Sequence, residues 1–268
     1  MNPPTLITVV LATYNWPQAL SLCLQSLAQQ TDTQFEICIA DDGSTAETTD
    51  LIAQWMQRST LSIRHFWQED QGFRKSRILN QAVAQARGDY LVFLDGDCIV
   101  QPDFIARHRA LACPGFMVTG ARILLEQSLT QALCQGGAWD PAAFMRHAWR
   151  YRRQGQINKW LPLHIKLPDH RGRHYKGFVW RRIKGCNMAA WRDDVKRIGG
   201  FDEALEGWGH EDADFVFRLQ AQGVRRKSGS WSTEVLHLWH RTASKETAQR
   251  NAEIVRAKIL AKSFRSLS

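Results

Sequence analysis

No run of about eighteen apolar residues occurs in this chain, so no segment is expected to cross a membrane as a helix. The first apolar stretch, Leu6 to Leu11, is too short and too poor in flanking basic residues for a secretion signal. A cytosolic location is the simplest reading. Cysteine is scattered: Cys23, Cys38, Cys98, Cys113, Cys134 and Cys186 show no Cys-x-x-Cys spacing, which argues against a zinc site or a redox pair. Reduced thiols packed as small apolar residues are expected instead. The sequence also lacks internal repeats and low-complexity linkers, so nothing points to a repeat array.

The 268 residues are 44% apolar, enough for one large domain or two small ones with a real core. The formal charge of +9 is unevenly placed. From Arg146 to Arg182, eleven Lys or Arg stand against one acid, Asp169, leaving the rest of the chain near neutral. Such a segment suits nucleic acid, an anionic membrane or an acidic acceptor. No zinc-finger, helix-turn-helix or RNA-recognition signature accompanies it, so no nucleic-acid partner is expected.

The first half alternates two periods. Leu6–Leu11, Phe35–Ala40, Leu61–Phe66 and Tyr90–Leu94 read as buried strands, and Pro17–Gln29, Thr45–Gln57 and Ser76–Ala86 read as helices. That order predicts an α/β fold, a mostly parallel central sheet flanked by helices. The second half is less regular. A strand-like segment runs from Ile183 to Trp191, a helix over Glu211–Gln222, a last strand over Thr233–Leu238 and a terminal helix over Ala243–Phe264.

Parallel sheets bind ligands beyond the carboxyl ends of their strands. Three predicted strands end in polar clusters: Ala12-Thr13-Tyr14-Asn15, Asp41-Asp42-Gly43-Ser44 and Asp95-Gly96-Asp97. Carboxylates at Asp95 and Asp97, one residue apart, can face a divalent cation, with oxygen donors suiting Mg2+ or Mn2+. Gly96 permits a tight turn and close approach of a phosphate. A surface turn would use the same residue types. Asp41 or Asp42 can accept from a base N–H or a ribose hydroxyl, and Tyr14 offers a flat face to a base. Arg74, Lys75 and Arg77 stand before a helix and suit phosphate or ribose oxygens; Arg77 is taken as the donor contact. In Gly207-Trp208-Gly209-His210-Glu211-Asp212, two acids open a helix, where the dipole favours their ionised forms. An ionised Asp there can take a proton from an acceptor hydroxyl, and Trp208 can stack on a sugar. His237 and His240 end a strand as a third metal ligand and a phosphate contact.

Together these motifs resemble the family 2 glycosyltransferases of the GT-A fold, from Leu6 to His240. The segment from Gly185-Cys186-Asn187-Met188 to Glu211-Asp212 is also similar to the catalytic part of β1,4-galactosyltransferases and chondroitin-polymerase-type enzymes. The resemblance implies a Rossmann-like GT-A domain over residues 1–240 and a helical extension over 241–268. It implies a nucleotide-sugar donor, most simply a UDP-sugar, held by Thr13, Tyr14, Asp41 or Asp42, Arg77, Asp95, Gly96, Asn187 and His240. Asp95, Asp97 and His237 would carry Mn2+ or Mg2+. Asp212 would be the general base, with Glu211 beside it, and Glu211 and Trp208 would touch the acceptor. Direct displacement by an acceptor hydroxyl would invert the anomeric centre.

One segment, about 140–182, departs from the shared pattern. Its Trp149, Trp160 and Trp180 among many cations suit a membrane interface or a phosphorylated glycan. The expectation is a glycan or lipid-linked acceptor, envelope polysaccharide or lipopolysaccharide synthesis, and an enzyme resting on the inner face of the cytoplasmic membrane. A nucleotidyltransferase would share the sheet but carry a glycine-rich loop after the first strand. Here that position reads Ala12-Thr13-Tyr14-Asn15-Trp16-Pro17, without glycine.

Overall fold

The computed structural model describes residues 3–180, 182–241 and 247–265. Its first half follows the two periods: β1 (Ile7–Thr13), α1 (Pro17–Ala28), β2 (Phe35–Asp41), α2 (Ala46–Arg58), β3 (Ile63–Trp67), α3 (Lys75–Gln85) and β4 (Tyr90–Asp95). Every residue of β1 and β2 is buried, as continuous apolar strands must be when helices cover both faces. β3, β2, β1 and β4 are parallel neighbours in that order. Their register decides where the chemistry lies. Thr13 pairs with Asp41, and Ala12 pairs with Asp95, so three polar strand ends sit level on one rim.

The second half supplies β5 (Cys98–Ile99), α4 (Phe104–Leu111), β6 (Phe116–Thr119), β7 (Ala121–Leu124), α5 (Gln127–Gln135), α6 (Pro141–Arg153) and α7 (Leu161–His164). It continues through β8 (Asn187–Trp191), α8 (Arg192–Arg197), α9 (Glu211–Ala221), β9 (Arg225–Ser228), β10 (Glu234–His237) and α10 (Ala248–Arg265). β8 runs antiparallel between β4 and β6, and β9 closes the edge, making a mixed seven-stranded sheet among the described residues. A smaller sheet, β5-β10-β7, crosses the rim. Residues 243–246, where the terminal helix was expected to begin, lie outside the described residues. No helix among the described residues is long and apolar enough to cross a membrane.

The cationic segment is built into the fold. α6 lays Phe144 and Ala148 inward, and Ile157 and Leu163 join them against Ile99, Ile123 and Leu236 of the small sheet. Each large apolar side chain so buried contributes roughly 1.5–3 kcal/mol. The segment also serves β9, whose Arg226 and Lys227 are almost fully buried. Arg226 donates to Thr119 Oγ1 at 2.9 Å and to the Val179 carbonyl at 2.6 Å. Lys227 Nζ lies 2.6 Å from Asp169 Oδ2. Arg173 is itself buried and donates to the carbonyls of Leu167, Pro168, Ser228 and Ser230. Part of the positive charge is thus internal bonding.

Candidate active site

The rim opens into a cleft of about 1330 Å³. Thr13, Tyr14, Asp42, Asp95, Gly96, Asp97, Trp208, Glu211, Asp212, His237 and His240 all line it. Three expected residues do not. Asp41 is fully buried, accepting from the Ser44 amide at 2.8 Å and lying 3.0 Å from His65 Nε2; it shapes the turn that aims Asp42. Arg77 is exposed beside Glu203 and Glu206 in a separate hollow. α3 begins at Lys75, so Arg77 stands about 200° around the helix from it, and Lys75 enters the cleft instead. Asn187 is fully buried, near His108 Nε2 at 3.2 Å and donating to the carbonyls of Ala121 and Thr233. The turn over Gly185 and Cys186 puts Cys186 on the cleft, whereas Asn187, the first residue of β8, is buried away from it.

At one end of the cleft, Tyr14 is half exposed and its hydroxyl donates to Asp70 Oδ2 at 2.8 Å. Asp42 accepts from Gln68 Nε2 at 2.5 Å and from the Arg74 amide at 2.9 Å. Burial raises the Asp42 carboxyl, and these two donors partly offset that. Gly43 makes the turn possible. Its φ is +95°, and a Cβ there would fall 2.5 Å from the Asp70 Cα, so no side chain fits. The geometry is a notch with a flat aromatic wall and a fixed carboxylate.

At the centre, Asp95 Oδ1 holds Lys75 Nζ at 2.5 Å. Burial alone would depress the lysine, but Asp95 and then Glu211 outweigh it and raise it. Beyond it, Asp97 Oδ2 lies 3.2 Å from His240 Nε2 and 3.7 Å from His237 Nε2. One ligand atom from each of these three residues lies within 4.8 Å of the others. His240 therefore joins this group instead of standing apart as a phosphate contact. Its Nδ1 sits 2.8 Å from the Arg241 carbonyl, a contact that orients the ring with Nε2 toward Asp97. Burial lowers His237, against the pull of Asp97, and Arg122 Nη1 lies 3.4 Å from its Nε2. The residues fit a divalent cation, and a mixed oxygen and imidazole set suits Mn2+ better than Mg2+.

At the other end, α9 starts from His210, whose backbone is left-handed at φ 73°, a conformation that costs a β-carbon residue on the order of 1 kcal/mol or more. Trp180 packs on the His210 ring at 5.1 Å, so the cationic segment reaches the cleft. Asp212 Oδ2 accepts from the Gly185 amide at 3.0 Å, which aims the carboxylate into the cleft. Glu211 departs from expectation. Burial and then the Asp212 charge push it up to about 7, with Lys75 acting against them. The helix dipole does not keep it ionised, because desolvation of a buried carboxylate is the larger effect. Its folded pKa lies above its ordinary 4.5, so it destabilises the fold progressively as pH rises from about 4.5 to 7. Glu211→Gln is expected to raise the melting temperature at pH 8 and leave it unchanged at pH 4, checked by thermal unfolding at both. Asp214, the third acid, is structural: it pairs with Arg218 and Lys258 at 2.6 Å.

Lys75 was hidden among three adjacent cations, and only the helix start singles it out. Arg182 and Lys184 also line the cleft, where a long basic segment gave no means of choosing them.

The chain matches the family profile "Glycosyl transferase family 2" over residues 8–132 and "N-terminal domain of galactosyltransferase" over 170–241. Residues 133–169 lie outside both matches. The validoxylamine A glucosyltransferase of Streptomyces hygroscopicus subsp. jinggangensis is 29% identical over 87% of this chain and 56% of its own length. The chondroitin synthase of Escherichia coli is 25% identical over 83% of this chain and 33% of its own. The chain thus spans about half, or less, of these relatives. In fold it is similar to a mannosyltransferase from Pyrobaculum calidifontis solved with GDP-Man and Mn2+ (TM-score 0.59, 19% identity, 100% of this chain and 65% of that one). It is also similar to S. aureus TarS 1-349 with UDP-GlcNAc (TM-score 0.63, 17% identity, 95% and 66%). The architecture is that of the GT-A glycosyltransferases.

Proposed function

We propose, from its matches to glycosyl transferase family 2 and to the galactosyltransferase domain, that the chain moves a sugar from a nucleotide-sugar donor to a hydroxyl of a glycan or lipid-linked acceptor, with inversion. One observation carries this reading. A three-ligand cation set and a helix-borne acid pair open into the same cleft, with Lys75 and Asp95 between them.

Tyr14 stacks on the base, and Asp42 accepts from its edge or from the ribose. Asp97, His237 and His240 would hold Mn2+, which when bound supplies Lewis-acid stabilisation of a diphosphate leaving group. Trp208 and Trp180 wall the acceptor side. Glu211, close to half protonated at pH 7, donates to an acceptor oxygen. Asp212 takes the proton of the attacking hydroxyl as the new bond forms on the face opposite the leaving group. UDP is the expected nucleotide, and a cell-envelope polysaccharide or lipopolysaccharide the expected product. Likeness to polysaccharide synthases supports that choice.

The test is release of UDP from a panel of UDP-sugars with Mn2+. Slow release without acceptor, hastened by one envelope glycan, is the expected result. Release from no nucleotide sugar, or a need for a nucleoside triphosphate, would overturn the reading.

α6 supports the membrane part of the proposal. Arg146, Trp149, Arg150 and Arg153 fall three and four residues apart and are exposed, opposite the buried Phe144 and Ala148. Arg153 lies over the Trp149 ring at 5.7 Å. Such a face suits anionic headgroups. The protein is expected to sediment with anionic vesicles at low salt and to be released at high salt. Sedimentation equal to that with neutral vesicles would remove the membrane role.

A further inference from the structure

Three soft ligands meet under the cation set. His237 on β10 is paired directly with Cys98 on β5 in the small sheet, and residues paired across an antiparallel ladder project to the same face. Cys186, from the turn before β8, completes the group. One ligand atom from each of the three lies within 4.8 Å of the others, and all three residues are buried. Cys186 and His237 also line the cleft, so an ion has a route to them and solvent or a ligand can reach a fourth position. None of this is visible as spacing, because 88 positions separate Cys98 from Cys186 in the chain.

We propose that Cys98, Cys186 and His237 form a second metal site, selective for a thiophilic divalent ion such as Zn2+, that shares His237 with the Asp97–His237–His240 set. Two sulfurs and one imidazole with an open position form a ligand set suited to Zn2+. Thiolates select soft ions, whereas a carboxylate-containing set accepts Mn2+. With Zn–S near 2.3 Å, tetrahedral ligands stand about 3.8 Å apart, which the cluster reaches by small side-chain rotations. Each thiol releases its proton to water as the ion binds. With both sets drawing on the same ring nitrogen of His237, occupation of the sulfur site takes it away from Asp97 and His240. The protein then carries two mutually exclusive metal states. The effect on transfer rests on the function proposed above; the binding does not.

The direct test is titration of the reduced full chain with Co2+ alone. The expected result is a near-ultraviolet sulfur-to-cobalt charge-transfer band that saturates at one ion per chain and is bleached by added Zn2+. It is lost in Cys98→Ala and in Cys186→Ala, and kept in Asp97→Ala and His240→Ala. Circular dichroism checks that each variant is folded, with Cys98→Ser as the replacement for an unfolded Cys98→Ala. No band in the wild-type protein, or a band surviving both cysteine variants, overturns the site. In the second arm, Zn2+ should lower Mn2+-supported UDP release at least tenfold, reversibly with EDTA, and Cys98→Ala should resist it. Zn2+ binding with undiminished release would overturn the sharing of His237. Absence of release from any donor, with the cobalt band intact, would count against the transferase reading alone.

Discussion

Asp212→Asn is expected to lower sugar transfer by about 10²–10⁴-fold, the usual contribution of a positioned general base, while donor affinity stays within about twofold. The substitution is nearly isosteric. Asn keeps one oxygen to accept from the Gly185 amide and gives up the 2.7 Å bond from the Ala213 amide to the other oxygen, so the side chain stays tied to the cleft wall while its basicity is lost. The proposed donor contacts lie elsewhere, at Tyr14 and Asp42, which is why binding should not follow the rate. Single-turnover transfer to the acceptor identified by the UDP-release screen, with calorimetric donor affinity, separates the two quantities. An unchanged rate would remove Asp212 from the mechanism. Equal losses in rate and affinity would make it a structural residue.

Asp97→Ala should have an effect of similar size by a different route. Asp97 is the one carboxylate in the three-ligand group, so its loss removes both the negative charge and one donor. A cation that stabilises a leaving diphosphate is worth several kcal/mol, on the order of a thousandfold in rate. Mn2+ affinity should fall with it, read from the electron paramagnetic resonance signal of free Mn2+. The fold should survive, because the backbone carbonyl of Asp97 still accepts from the Leu238 amide at 3.0 Å. Unchanged Mn2+ affinity would place the cation elsewhere.

The alternation of β1 to β4 with α1 to α3 was legible because β1, β2 and β4 are buried almost throughout and read as largely apolar runs, with the half-buried edge strand β3 keeping the same spacing. The register that levels Thr13, Asp41 and Asp95 follows from that parallel order. β5, β6, β7 and β9 were not legible. Each is two to four residues long, and β9 reads Arg-Arg-Lys-Ser, a charged string that pattern alone assigns to the surface. Its burial depends on Thr119, Val179 and Asp169, none of them adjacent in the chain. In the site, composition found the clusters, and local geometry chose the members. A strand end separates Asp42 from Asp41, a helix start separates Lys75 from Arg77, and the turn before β8 separates Cys186 from Asn187. The ionisation of Glu211 was misjudged for a related reason: helix position is written in sequence, whereas burial is a property of the packed molecule.

The bonding of β9 to the cationic segment sets the rules for recombining this protein with its relatives. A chimera that imports a different segment between α5 and β8 while keeping the resident edge strand would strand Lys227, and partly Arg226, inside the sheet without their counterparts. A buried charge deprived of its partner costs about 3–5 kcal/mol, a large share of the roughly 5–15 kcal/mol that holds a domain together. Residues 169–179 and 225–228 are therefore one heritable unit split across the chain. Transplanting the cationic segment calls for two crossovers moved in concert.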